Sequence, residues 1–200
     1  MISSFSRTWF SLAFSTFKIL PRRGRIAWKR LSLPDFALPP EYDWRYFQPG
    51  DEREWARVEI SAGEFKDERS ALTGFRKYYP TDEHLDERMF FLTDAGVPFA
   101  TATAWFCDDG PDSPQGRLHW VGVDAAHQRK GLSYPLVALA MAQMRTLGHT
   151  CAYLTTQTAS WPAIKVYHRF GFRPMPNGEG DAEGWRIVSE KTGIDFIRDI

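Results

Sequence analysis

The run Val123-Asp124-Ala125-Ala126-His127-Gln128-Arg129-Lys130-Gly131-Leu132-Ser133 carries the most chemical information in this sequence of 200 residues. It leads from an apolar stretch, read as a strand over 117–123, into a helical pattern in which Leu132, Leu136, Leu139, Gln143 and Leu147 share one face. A short loop at a helix start can turn successive backbone N–H groups toward one point. The helix dipole adds partial positive charge there, so such a loop can hold a phosphate or pyrophosphate. Gly131 permits the close backbone approach that an anion requires. Read alone, the same letters also fit an ordinary tight turn. The two common phosphate-binding patterns, G-x-x-x-x-G-K-[ST] and G-x-G-x-x-G, do not occur.

Other chemistries find less support. The histidines at 84, 119, 127, 149 and 168 show no metal-ligand spacing, so no metal is expected. Cys107 and Cys151 form neither a C-x-x-C nor a disulfide framework, and a reducing, cytoplasmic compartment is the simplest reading. Lys and Arg together balance Asp and Glu at 25 each, but unevenly. Residues 1–34 hold seven basic residues and no acid, which leaves the rest with 18 basic against 25 acidic residues. An acidic body argues against nucleic acid as a partner and suits a cationic one. No apolar run reaches the roughly 18 residues needed to span a bilayer.

The elements that must position the loop follow from periodicity and turn residues. Phe5, Trp9, Leu12, Ala13, Phe17 and Leu20 recur at helical spacing, with Arg7, Ser11 and Lys18 opposite, which predicts an amphipathic helix ending at Pro21. Residues 1–33 are thus read as a basic extension, 34–40 as a proline-rich linker and 41–200 as the domain proper. The face over 4–20 suits a membrane surface, self-association or a dispensable leader, and the residues leave these open, as they leave open monomer or homodimer. Strands are expected over 42–48, 89–93, 99–107, 117–123, 151–156 and from Phe172 onward, with a last strand at 185–188. Helices are expected over 51–62, 70–79 (capped by Ser70), 132–147 and 160–170, and Asp94-Ala95-Gly96 reads as a hairpin turn. The order is mixed α/β, with helices flanking a partly antiparallel sheet.

Downstream of the loop stands Ala163-Ile164-Lys165-Val166-Tyr167-His168-Arg169-Phe170-Gly171-Phe172. The two segments together resemble the signature motifs of the GNAT acyltransferases, a Q/R-x-x-G-x-G/A pyrophosphate loop followed by an A-x-x-x-Y-x-x-x-G-F helix. The resemblance covers about 42–188. Gln48-Pro49-Gly50-Asp51 through Gly63-Glu64-Phe65 also looks like the start of small bacterial members. Ser133 replaces the usual Gly or Ala, and Ser160 stands where many members have Asn.

The resemblance implies a GNAT fold, with a central twisted, mostly antiparallel sheet that splays at the acyl-CoA site. It implies an N-acetyltransferase that moves an acetyl group from acetyl-CoA, as cosubstrate, to a small-molecule or peptidic amine by direct attack. A non-catalytic acyl-CoA-binding sensor or scaffold is the alternative. Gln128, Arg129, Lys130, Gly131, Leu132 and Ser133 would cradle the pyrophosphate. Ser160 and Ala163 would flank the CoA arm, and backbone N–H groups near Val121 and Val123 would polarise the acyl carbonyl. Tyr167 matches the family's proton donor to the departing thiolate. His119 resembles in placement a strand histidine of the arylalkylamine acetyltransferases and is the expected base, on the same face as Val121 and Val123 by strict alternation. Glu59 and Glu64 are its rivals on the acceptor side.

Overall fold

The computed structural model describes residues 16–21, 36–107, 110–175 and 181–199. The chain runs β1 (Thr16–Pro21), β2 (Tyr42–Tyr46), α1 (Glu52–Ala62), α2 (Glu68–Tyr78), α3 (Leu85–Arg88), β3 (Met89–Asp94), β4 (Val97–Phe106), β5 (Gln115–Val123), α4 (Ser133–Thr146), β6 (Cys151–Gln157), α5 (Trp161–Arg169), β7 (Phe172–Met175) and α6 (Asp181–Thr192). The strands form one sheet in the order β2-β3-β4-β5-β6-β1-β7. Every pairing is antiparallel except β5 with β6.

Residues of β3 show why this sheet needs cover on both faces. Phe90 and Leu92 join a core cluster with Leu136, Ala140 and Met144 of α4, whereas Met89 and Phe91 join a second with Trp55 of α1 and Phe75 of α2. Alternate residues of a strand point to opposite faces, so a strand apolar at every position is buried on both. Helices α1 and α2 therefore lie on one face and α4 on the other. The expected hairpin joins β3 to β4, with Ala95 at φ 47°. Helix α2 starts two residues before its expected cap: Asp67 is the N-cap and accepts from Ser70 N (2.7 Å), with Ser70 completing a capping box from the third helical position.

Two expectations fail, both in short apolar runs. Residues 16–21 are a strand rather than the end of a helix; the remainder of that expected helix lies outside the described residues. β1 enters between β6 and β7, pairing Ile19 with Leu154 on one side and with Pro174 on the other. Thr-Phe-Lys-Ile-Leu is as apt for a strand as for a helix, and two strand edges lacking partners decide the matter. Residues 185–188 are not a strand but lie inside α6. Trp185 and Val188 point into the core three residues apart, while Arg186 binds Glu183 (2.6 Å) and Glu190 (2.7 Å) on the exposed side. The segment expected as a linker also packs: Phe36 sits 4.7 Å from the Tyr134 ring and 5.6 Å from the Phe170 ring, centroid to centroid.

Candidate active site

Strands β5 and β6 pair only at Gln115↔Cys151, Gly116↔Ala152 and Arg117↔Tyr153. Beyond that point β6 follows β1 as far as Gln157, and the second half of β5 keeps only β4. The two strands diverge, and a cleft of about 920 Å³ opens between Leu118–Val123 on one wall and Leu154–Gln157 on the other. The edge of β5 turned toward this cleft carries backbone groups with no ladder partner, able to bind an extended ligand as a further strand would.

At one end of the cleft lies the loop between β5 and α4. Asp124 folds it: its Oδ1 accepts from His127 N (2.9 Å) and sits 2.7 Å from His127 Nδ1, while its backbone oxygen accepts from His127 N and Gln128 N. The His127 ring stacks on Phe99 at 4.1 Å between centroids. Past this anchor, Arg129 (φ 62°) and Gly131 (φ 79°) take left-handed conformations. No acceptor among the described residues faces the backbone N–H groups of residues 129–133, five donors in succession at the start of a helix of 14 residues. Such a nest fits a pyrophosphate.

The sequence-predicted residues divide clearly. Val121, Val123, Gln128, Arg129, Gly131 and Ser133 line the cleft, as do Ser160 and Ala163 on the far wall. Lys130 is exposed and Leu132 is buried in the core beneath α4, so for these two only the backbone faces the nest. Tyr167, His119 and Glu64 all line the same cleft. Burial, then the neighbouring Glu59 and Glu64, pushes the Tyr167 phenol up, so it stays protonated across the physiological range.

His119 does not share a face with Val121 and Val123. Thr101 pairs with Gly122 and Thr103 with His119, so three steps along β5 match two along β4. The extra residue is a β-bulge at Trp120, whose φ is 46°. It puts His119, Trp120 and Gly122 on the α1–α2 face and leaves Val121 and Val123 against the α4 core. There the Tyr79 hydroxyl donates to Thr103 Oγ1 (3.1 Å) and lies 3.2 Å from His119 Nδ1. Burial, with Arg117 adding to it, holds His119 well below its ordinary pKa and hence neutral. Sequence reasoning missed this bulge and the Tyr79 contact, and a bulge leaves no periodic mark by which to find it.

Comparison with known proteins agrees with this geometry. The model of the acetyltransferase (GNAT) family matches residues 40–172. The chain belongs to this family. Among curated GNAT relatives it is similar to a mycothiol acetyltransferase of Thermobispora bispora, at 29% identity over 160 residues, covering 75% of this chain and 54% of the relative. The chain spans about half the length of the curated relatives it matches. Among solved GNAT structures it shares its fold with a GCN5-related N-acetyltransferase from Sphaerobacter thermophilus (TM-score 0.63, 16% identity, 81% of this chain and 49% of that one). A diaminobutyrate acetyltransferase from Paenibacillus lautus, solved with L-2,4-diaminobutyric acid and coenzyme A, is a more distant likeness (TM-score 0.51, 13% identity, 73% of this chain and 77% of that one).

Proposed function

We propose that this protein transfers an acetyl group from acetyl-CoA to a primary amine by direct attack, with no acyl-enzyme intermediate. The observation that carries this reading is the cleft between β5 and β6, with an anion nest at one end and titratable side chains along its lining. The pyrophosphate binds the N–H groups of residues 129–133. The pantetheine arm lies along the open edge of β5, between Val121–Val123 and Ser160–Ala163. Backbone N–H groups on that edge polarise the thioester carbonyl, as preorganised donors do for a developing oxyanion.

The amine enters from the end lined by Glu59, Glu64, Tyr78 and His119. It attacks the carbonyl as a neutral nucleophile, and the tetrahedral adduct collapses with loss of the CoA thiolate. Tyr167, held in its phenol form, supplies the thiolate's proton. The first proton, taken from the entering ammonium, goes to a group at the acceptor end, where His119, Glu64 and Glu59 are the candidates. The acidic lining suits a cationic small molecule or a peptide amino group. A reducing compartment such as the cytoplasm suits Cys107 and Cys151.

Incubating the full chain with acetyl-CoA and a panel of amines, and following released thiol, tests the reading. Turnover dependent on one amine class is expected. Tight acetyl-CoA binding with no thiol release from any amine would instead make the chain a binding module.

A further inference from the structure

Glu59 lies in the last turn but one of α1, beneath the bulge of β5. It is fully buried (0% exposed), and neither carboxyl oxygen has a hydrogen-bond partner among the described residues. A buried carboxylate without a protein hydrogen-bond partner is among the less favourable groups a core can hold, so its retention points to a task. The nearby cation Arg57 is engaged elsewhere, with Glu54 and the Pro98 carbonyl.

The sheet makes room for this carboxyl. A Cβ on Gly122 would stand 2.8 Å from Glu59 Oε1 and 3.0 Å from its Cδ, closer than such contacts allow. Here the absence of a side chain, not backbone conformation, is what the position supplies. Thr101, the β4 partner of Gly122, also has a buried hydroxyl without a hydrogen-bond partner among the described residues. Glu59 and Gly122 both line the cleft, beside the β5 edge where the thioester carbonyl is polarised. His119 stands farther along β5, turned toward Tyr78 and Tyr79.

We infer that Glu59, seated in the socket left by Gly122, is the catalytic base that takes the proton from the acceptor's ammonium group, and that the acceptor carries this ammonium on an apolar body packed against Trp120 and Tyr78. The inference rests on the acetyl-transfer reading above. In the first step the ammonium N–H breaks and a Glu59 O–H forms, giving a neutral amine. Attack forms the N–C bond and moves the carbonyl electron pair onto oxygen. Collapse restores the carbonyl, breaks C–S and sends the thiolate to the Tyr167 proton. The nitrogen's remaining extra proton returns to the Tyr167 phenolate, and Glu59 gives its proton to water, so that one proton is released per turnover.

The titratable groups that act on Glu59 or feel its charge are Glu64 after α1, Tyr79 of α2 and Tyr167 of α5. None of these brings a positive charge. Burial first, then Glu64, raises the Glu59 carboxyl well above its ordinary range, which brings it toward the pH where a base works best. An arriving ammonium favours the ionised form.

The test compares wild type, E59Q, H119Q and G122A, with thiol release from acetyl-CoA using 2-phenylethylamine as the probe. In wild type, kcat/KM should fall on the acid side as Glu59 protonates. E59Q should lose about 10²-fold and climb with pH as the amine itself loses its proton in solution. H119Q should keep the acid limb. G122A should lower kcat/KM for the amine by roughly tenfold, because the new methyl displaces the carboxyl. A second readout needs no turnover. A carboxyl whose folded pKa is raised loses stability as pH climbs from the unfolded toward the folded value, so E59Q should melt higher than wild type at pH 8, with the gain shrinking near pH 4.5. E59Q with wild-type kcat and an intact limb, or with no higher Tm at pH 8, overturns the inference and leaves acetyl transfer standing. A wild type that binds acetyl-CoA and acetylates no amine sinks both readings.

Discussion

Tyr167 meets three demands at one side chain: burial within α5, contact with the cleft, and a pKa pushed up by its surroundings, burial foremost and then Glu59 and Glu64. A phenol in that position rests in its protonated form at working pH. Tyr167→Phe keeps the ring and its packing 6.1 Å from Phe172. We expect turnover to fall about 10²-fold, with KM for acetyl-CoA little changed, as steady-state kinetics would show. Full turnover in the variant would make the residue structural. Tyr167 was legible in the sequence because its spacing to Ala163, Gly171 and Phe172 is local to one helix. Glu59 was legible only as a carboxylate near the acceptor side. That it is buried, unpartnered and fitted to Gly122 depends on β5 meeting α1, which no local pattern encodes. His119 was placed on the right strand and the wrong face, because alternation was counted through the bulge at Trp120.

Among the elements, the β5–α4 loop shows how a short segment is bent into a nest of outward-turned N–H groups. Asp124 and His127 fix its first turn, two left-handed residues redirect the chain, and α4 begins with its first N–H groups turned outward. A Cβ on Gly131 would meet nothing within 4 Å, so a substitution there does not clash with the protein. What Gly131→Val changes is conformation and approach. A β-branched residue resists φ near 79°, at a cost of about 1–2 kcal/mol or more, and its side chain would stand where the pyrophosphate must come close. Acetyl-CoA binding by calorimetry should weaken more than tenfold, which corresponds to about 1.4 kcal/mol, in a variant that still melts cooperatively. Unchanged affinity would move the pyrophosphate elsewhere. This loop and α4 were legible because a strand pattern, a Gly and a long helical face follow one another without a gap. β1 and α6 were not, since four to six apolar residues fit either period and the choice falls to distant partners.

For the whole molecule, the first strand changes how the chain divides. The sequence suggests an extension over 1–33 separable from a domain, yet β1 lies inside the sheet and is the partner through which β7 joins it. A chain beginning at Pro34 loses both ladders of β1. At about 1 kcal/mol per backbone hydrogen bond, several kcal/mol are at stake, and Tm should drop by on the order of 10 °C or more. Equal melting and equal acetyl-CoA affinity in the truncated chain would instead show that β1 is an addition the domain does not need.

The placement of β1 also sets an order of events. The segment that pairs Thr16 with Gln157 and Leu20 with Arg173 leaves the ribosome well before its partners do. Its pairings have the longest sequence separation among the described strand pairings, and loop closure on that scale slows folding. Until the closing strand docks, β6 and β7 present bare edges to each other and to any other extended chain in reach. A second copy of residues 16–21 matches that slot as well as the first, so concentrated refolding favours reciprocal exchange of this strand between two chains, and dilute refolding favours the closed monomer.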